Sequence, residues 1–191
     1  MMTHEKLIKL LKNYGEISKE DEIDIAAKFI FQKTKKKEIL VGQNSSCNKL
    51  FFVIEGFIRA YSINDKGNEV TRMIAWEGNF LTDIVGFRDQ NINQEIIESL
   101  TDSFLLFITK NNFDSLLNSS ENFKKIYIKV LEEYSNMHMK KLQLINIVDI
   151  SLKMKYFKEH FPDLVFKLND KILASFLSIS RETLVRHKKI W

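Results

Sequence analysis

The stretch NDKILASFLSISRETLVRHKKI, residues 169–190, decides the architecture. Leu173, Leu177, Ile179 and Leu184 fall where two short helices joined by a tight turn would face each other, and Ala174 supplies the small residue such a crossing requires. Ile172 or Phe176 is available to pack on the rest of the domain. Ser180 is a strong N-cap, so a second helix is predicted to start at Arg181 and to expose Arg181, Glu182, Val185, Arg186 and Lys189. This spacing is that of a helix-turn-helix, although an ordinary helical hairpin on a protein surface would satisfy it too.

Charge alone does not separate the readings, since a solvated basic tail would show the same balance, and the spacing has to decide. From residue 165 onward six basic residues, Lys167, Lys171, Arg181, Arg186, Lys188 and Lys189, face only Asp170 and Glu182, which accounts for the whole formal net charge of +4. A basic end on a neutral body suits a polyanion. Arg181 also sits in the first turn, where the helix dipole favours acids. An external anion would correct that, and a phosphate near the helix start could accept from Ser180 and Thr183 as well.

Upstream, no breaker interrupts the chain from about Glu121 to Asn146, and a single long helix is expected there, capped by Asn118 or Ser119. Positions 123, 127, 130, 134, 137, 141, 144 and 148 step by four and three, and all but Lys141 are apolar. Such a stripe suits a dimer seam of Phe123, Tyr127, Val130, Tyr134, Met137 and Leu144. A helix lying on its own sensor domain would show a similar stripe. The seam is favoured because a helix about 40 Å long outreaches a small β domain. Asp149 or Ser151 then caps a further helix to about His160, closed by Phe161-Pro162-Asp163.

All six glycines lie at or before Gly86, so a turn-rich β region is expected to precede a helical one. Helical spacing marks residues 4–13 and 19–31. Short apolar runs then read as strands at Ile39–Val41, Leu50–Ile54, Phe57–Tyr61, Val70–Trp76 and Phe104–Ile108, with Asn64-Asp65-Lys66-Gly67-Asn68 as a hairpin turn. The expected fold is α+β. It divides into a jelly-roll (double-stranded β-helix) sensor at 1–118, a dimerisation helix at 119–147 and a helix-turn-helix domain at 148–191.

The 191-residue chain is 45% hydrophobic, ordinary for a globular protein. Lys6, Lys9, Lys12, Glu5 and Glu16 break up the first residues, so no signal peptide is read there, and no run of eighteen apolar residues suits a membrane span. A cytoplasmic protein that engages no membrane is expected. Cys47 is the only cysteine, which rules out an internal disulfide and a cysteine-ligated iron–sulfur cluster. His4, His138, His160 and His187 lack metal-ligand spacing, and no metal or cofactor is expected. No catalytic triad order, P-loop or dinucleotide fingerprint is present, so the sequence does not read as an enzyme.

SRETLVR at 180–186, together with IEGFIRAYSINDKGNEVT at 54–71, resembles the Crp/Fnr-type transcription regulators, in the short form of Bacteroidetes-like bacteria. The resemblance runs through the whole chain. It implies a homodimer on double-stranded DNA, with Arg181, Glu182 and Arg186 reading bases and Ser180 and Thr183 touching the backbone. Lys188 and Lys189 extend the phosphate contacts. It also implies a contact with RNA polymerase. Ser178 stands where the family usually has glycine, and His187 where it usually has an aliphatic residue.

Family members that bind cyclic nucleotides use a Gly-Glu pair at a short helix and a later arginine. The matching stretch here, NFLTDIVGFRDQNINQEIIES at 79–99, has neither that pair nor an arginine at the expected place. Ordinary cAMP binding is therefore not expected, and the small-molecule effector stays unidentified. Arg88 is the residue that could stand in as anion partner, while Trp76, Phe80 and Phe87 read as core ahead of pocket lining. The alternative to a DNA-binding regulator is a ligand-sensing module without DNA function.

Overall fold

The computed structural model describes residues 4–93 and 95–188. Two leading helices, α1 (Glu5–Lys12) and α2 (Lys19–Lys28), precede eight strands: β1 (Ile30–Thr34), β2 (Ile39–Val41), β3 (Lys49–Glu55), β4 (Phe57–Ile63), β5 (Glu69–Trp76), β6 (Phe80–Leu81), β7 (Ile96–Ser99) and β8 (Ser103–Thr109). A short α3 (Ile84–Asp89) interrupts the strands, and α4 (Lys110–Ser119), α5 (Glu121–Asn146), α6 (Ile150–His160), α7 (Asp170–Leu177) and α8 (Arg181–His187) follow. The strands form two four-stranded sheets, ordered β1-β8-β3-β6 and β2-β7-β4-β5. This is an α+β fold built on a β-sandwich. Among the described residues no helix is long and apolar enough to cross a membrane.

By contact the chain divides into two compact units, one reaching to Ala60 and resuming at Ile74–Tyr134, the other joining Tyr61–Met73 to the chain from Ser135 onward. In the first, β3 pairs antiparallel with β8 in a register that sets Phe51 opposite Phe107 and Val53 opposite Leu105. Phe51, Phe52 and Val53 are all buried, as are Leu105 and Leu106. Consecutive burial means that both faces of β3 are covered, and Leu7 and Leu11 of α1 contribute to the cover. The β3–β4 turn depends on Gly56, whose φ of +96° is left-handed and whose added Cβ would lie 2.2 Å from Ser103 Oγ.

Several boundaries depart from the sequence reading. The helix expected at 19–31 ends at Lys28, because Phe29 is already extended and Ile30 opens β1. Asn118 and Ser119 belong to the last turn of α4, and the extended residue that separates α4 from α5 is Ser120, whose Oγ accepts from Phe123 N–H at 3.1 Å. Asp149, and not Ser151, caps α6, accepting from Leu152 N–H at 2.8 Å.

In the second unit Phe157, Phe161 and Phe176 form an aromatic core with Leu164, Leu173, Leu177 and Leu184. Phe161 and Phe176 meet edge to face at 5.3 Å, a favoured geometry for aromatic pairs. Pro162 starts a 3-10 turn after α6, where its missing N–H is not required. The tip of the β4–β5 hairpin belongs to this unit. It is closed by Asn64 Oδ1, which accepts from both Lys66 N–H and Asn68 N–H at 3.0 Å.

Candidate nucleic-acid interface and sensor cleft

Helix α7 starts on Asn169, whose side chain accepts from Ile172 N–H at 3.0 Å. It ends at Ser178, held left-handed at φ +55°. Ile179 N–H donates back to Ala174 O at 3.1 Å, the reversed hydrogen bond that closes a helix through a left-handed residue. The turn is therefore made as the sequence requires, with a serine doing what glycine does without strain.

Helix α8 begins at the cap Ser180, whose Oγ accepts from Thr183 N–H at 3.1 Å and lies 3.0 Å from Thr183 Oγ1. Leu184 is fully buried, while Arg181, Glu182, Val185 and Arg186 are exposed together on the opposite side. This is the face expected from the sequence. The Glu182 carboxyl is held below its usual range by a backbone N–H at the helix start, by the Ser180 hydroxyl and by Arg181. It stays an ionised hydrogen-bond acceptor beside two guanidinium donors.

Lys188 forms an ion pair with Asp170 at the start of α7, so its ammonium is engaged between the two helices. His187 fits its half-buried position by placing Nδ1 2.9 Å from Thr183 O. Lys189 lies outside the described residues.

Two features of this unit went unseen in the sequence. Lys141 of α5 and Lys153 of α6 are buried. The Lys141 ammonium donates to Phe176 O and stands 4.3 Å from the Phe176 ring centroid. Lys153 Nζ donates to Leu177 O at 3.3 Å and to Ile145 O at 3.2 Å. The two lysines thus satisfy carbonyls at the C-terminus of α7, where cations are favoured. Burial, with Lys153 nearby, pulls the Lys141 pKa down to about 7. The one hint was that Lys141 interrupts an otherwise apolar stripe.

That stripe is spent largely within the chain. Phe123 is buried in the first unit, 6.0 Å from Phe113 between ring centroids, and Leu144 is fully buried in the second. Neither side chain is available to a partner, which removes both from the expected seam. Tyr127, Val130 and Tyr134 instead line a cleft of about 400 Å³ in the first unit, together with Leu131 of the same helix. Its other walls are Phe80 of β6, Phe87 of α3 and Phe113 of α4. Phe80 and Phe87 are therefore cleft lining, whereas Trp76 is not among the lining residues. Arg88, Lys110 and Asp114 also border the cleft. Arg88 is exposed and pairs with Asp89 at 2.6 Å, and Lys110 pairs with Asp114 at 2.5 Å.

Residues 31–120 match the cyclic nucleotide-binding domain family. No curated protein matches the sequence. Similar solved structures include a transcriptional regulator described as of the Crp/Fnr family from Eubacterium rectale, at 18% identity and a TM-score of 0.69, covering 91% of this chain and 82% of that one. A CooA variant from Carboxydothermus hydrogenoformans is 22% identical with a TM-score of 0.68 and coverage of 97% and 85%. The c-di-GMP responsive regulator CLP of Xanthomonas campestris is 15% identical with a TM-score of 0.65 and coverage of 88% and 89%. Residues 31–120 thus match the model of a cyclic nucleotide-binding domain, and the chain shares the fold of these solved structures, one of them described as a Crp/Fnr-family regulator.

Proposed function

We propose that this protein is a cytoplasmic, homodimeric, sequence-specific DNA-binding transcription regulator. Helices α7 and α8 act as its helix-turn-helix and the β-sandwich as its jelly-roll sensor. The observation that carries the reading is the exposed face of α8, where Arg181, Glu182 and Arg186 stand opposite the buried Leu184. Guanidinium groups can donate to guanine O6 and N7, and a carboxylate can accept from cytosine N4, so the trio suits a G·C-containing half-site in the major groove. Ser180 and Thr183 at the helix start approach phosphates. Lys188 reaches one only by exchanging Asp170 for it, and Lys189 is assigned a phosphate contact from the sequence alone. Contact with RNA polymerase follows from the family likeness alone.

For the dimer, the face of α5 open to a second copy is Ile128, Glu132, Ser135, Met139 and Leu142, which steps by four and three and is exposed throughout. Met137 lies beside it. We place the seam there, because Ile128, Met139 and Leu142 leave apolar side chains exposed on that face, with Glu132 and Ser135 between them.

The proposal is tested by fluorescence anisotropy of the full chain on duplex DNA over a range of salt, alongside sedimentation. The expected result is a dimer whose duplex affinity falls steeply with salt, and an Ile128→Glu/Met139→Glu variant that is monomeric and binds more weakly because effective concentration is lost. A wild-type chain that binds no duplex at low salt would instead support the ligand-sensing module.

A further inference from the structure

We propose that the cleft between α3, α4 and α5 is a binding site for a small amphipathic carboxylate, with an apolar body among the aromatic walls and its anionic head at Arg88 and Lys110. Sites for small molecules have volumes of about 300 to 1,000 Å³, and this cleft, at about 400 Å³, falls within that range. Packed cores leave few voids larger than a water molecule. The rings of Phe80, Phe87, Phe113, Tyr127 and Tyr134 therefore do more than fill the core.

The walls select against a nucleotide. Tyr134 donates its hydroxyl to Thr82 O at 3.3 Å, and Thr82 donates its own to Lys49 O at 2.9 Å, so these two hydroxyls are engaged by backbone. Apart from the Tyr127 ring, which carries a hydroxyl, the remaining interior is ring and aliphatic surface, so the several polar groups of a ribose and a base would lose water there with few partners. An alkyl or aryl body would gain from the same surface.

The charged border selects the head group. Arg88 is a neighbouring-residue pair with Asp89, using Nε and one terminal nitrogen at 2.6 and 2.7 Å. A guanidinium carries five N–H donors, so others are left for a second carboxylate. Lys110, bonded to Asp114, likewise has three donors in all. The Arg88–Asp89 pair is exposed, and pairs of this kind are weak and exchange readily.

This assignment names a class for the effector of the sensor reading and rests on that reading only for the word effector, since the site can be measured without DNA. The test uses the full chain and the fluorescent probe 1-anilinonaphthalene-8-sulfonate, an aromatic body with an anionic head. Saturable binding of one probe per chain is expected, displaced by dodecanoate and not by cAMP. Val130→Trp, which fills the cleft, should weaken the probe by about tenfold or more, with an unchanged circular dichroism spectrum. Leu131→Phe serves if that variant does not fold. Arg88→Ala should weaken dodecanoate by about fivefold while leaving dodecanol nearly unaffected. Probe binding that does not saturate, that survives both filling substitutions, or that yields to cAMP and not to dodecanoate overturns the proposal. Loss of DNA binding touches none of these measurements.

Discussion

Ser175 Oγ of α7 lies 3.0 Å from Thr71 Oγ1 of β5, accepts from Thr71 N–H at 2.9 Å and donates to Glu69 O at 2.8 Å. One hydroxyl therefore ties the first helix of the α7–α8 pair to a strand more than a hundred residues earlier. The exposed pair Lys171–Glu69, 2.8 Å apart, adds little beside it. Replacing Ser175 by alanine removes its hydrogen bonds to Thr71 N–H and Glu69 O in a partly buried contact, and should lower stability by about 1 to 2 kcal/mol. Hydrogen exchange at the Thr71 amide is the check, and faster exchange in Ser175→Ala is expected.

Ser178 should be improvable. Its φ of +55° is a region where a Cβ is disfavoured and glycine is not. Ser178→Gly removes that strain but makes the unfolded chain more flexible, so the net gain should be at most about 1 kcal/mol. Thermal unfolding followed at 222 nm reads the result, and a lower midpoint for the glycine variant would contradict the strain argument.

The buried lysine gives a pH signature. Burial lowers the Lys141 pKa to about 7 from 10.5. Between those values the unfolded chain binds the proton that the folded chain has released, so stability should rise as pH climbs from 7 towards 10. Lys141→Met should flatten that rise. Denaturant unfolding at a series of pH values tests it.

His138 acts in the acid range. Its pKa is pushed down to about 4 by burial and by Arg72, whose guanidinium nitrogen lies 3.2 Å from Nε2. The folded state keeps the ring neutral where the unfolded state protonates it, between about 4 and 6.5, so stability should fall as pH drops through that window. His138→Gln should lose this part of the acid sensitivity, and a variant that kept the full slope would remove His138 as its origin.

Much of this could be read in the residues. The α7–α8 pair was legible because Ala174, Leu177 and Leu184 fix which sides meet, and Ser180 marks where the second helix begins. The hairpin at 64–68 was legible because its turn chemistry is local. The strands β6 and β7 and the helix α3 were not, being segments of two to six residues, and α4 was missed although Thr109 caps it. The α5 stripe showed an apolar face without saying what covers it. A 3.6-residue repeat is the same whether the cover is a partner helix, a ring such as Phe113, or a cleft, and here rings and a cleft take most of it. Lys141 looked like an exception to the stripe because its partners, the carbonyls ending α7, lie 35 residues away.

The central claim, that α8 reads base sequence, is tested most directly by selecting binders from randomised duplex DNA with the wild-type chain and with Arg186→Ala. The account predicts a two-fold symmetric wild-type motif containing G·C pairs, with half-sites about 34 Å apart. For Arg186→Ala it predicts a loss of about 1 to 3 kcal/mol on the best site and a relaxed preference at one base pair of each half-site. No selected motif for the wild type, or the same motif for both proteins, would contradict it.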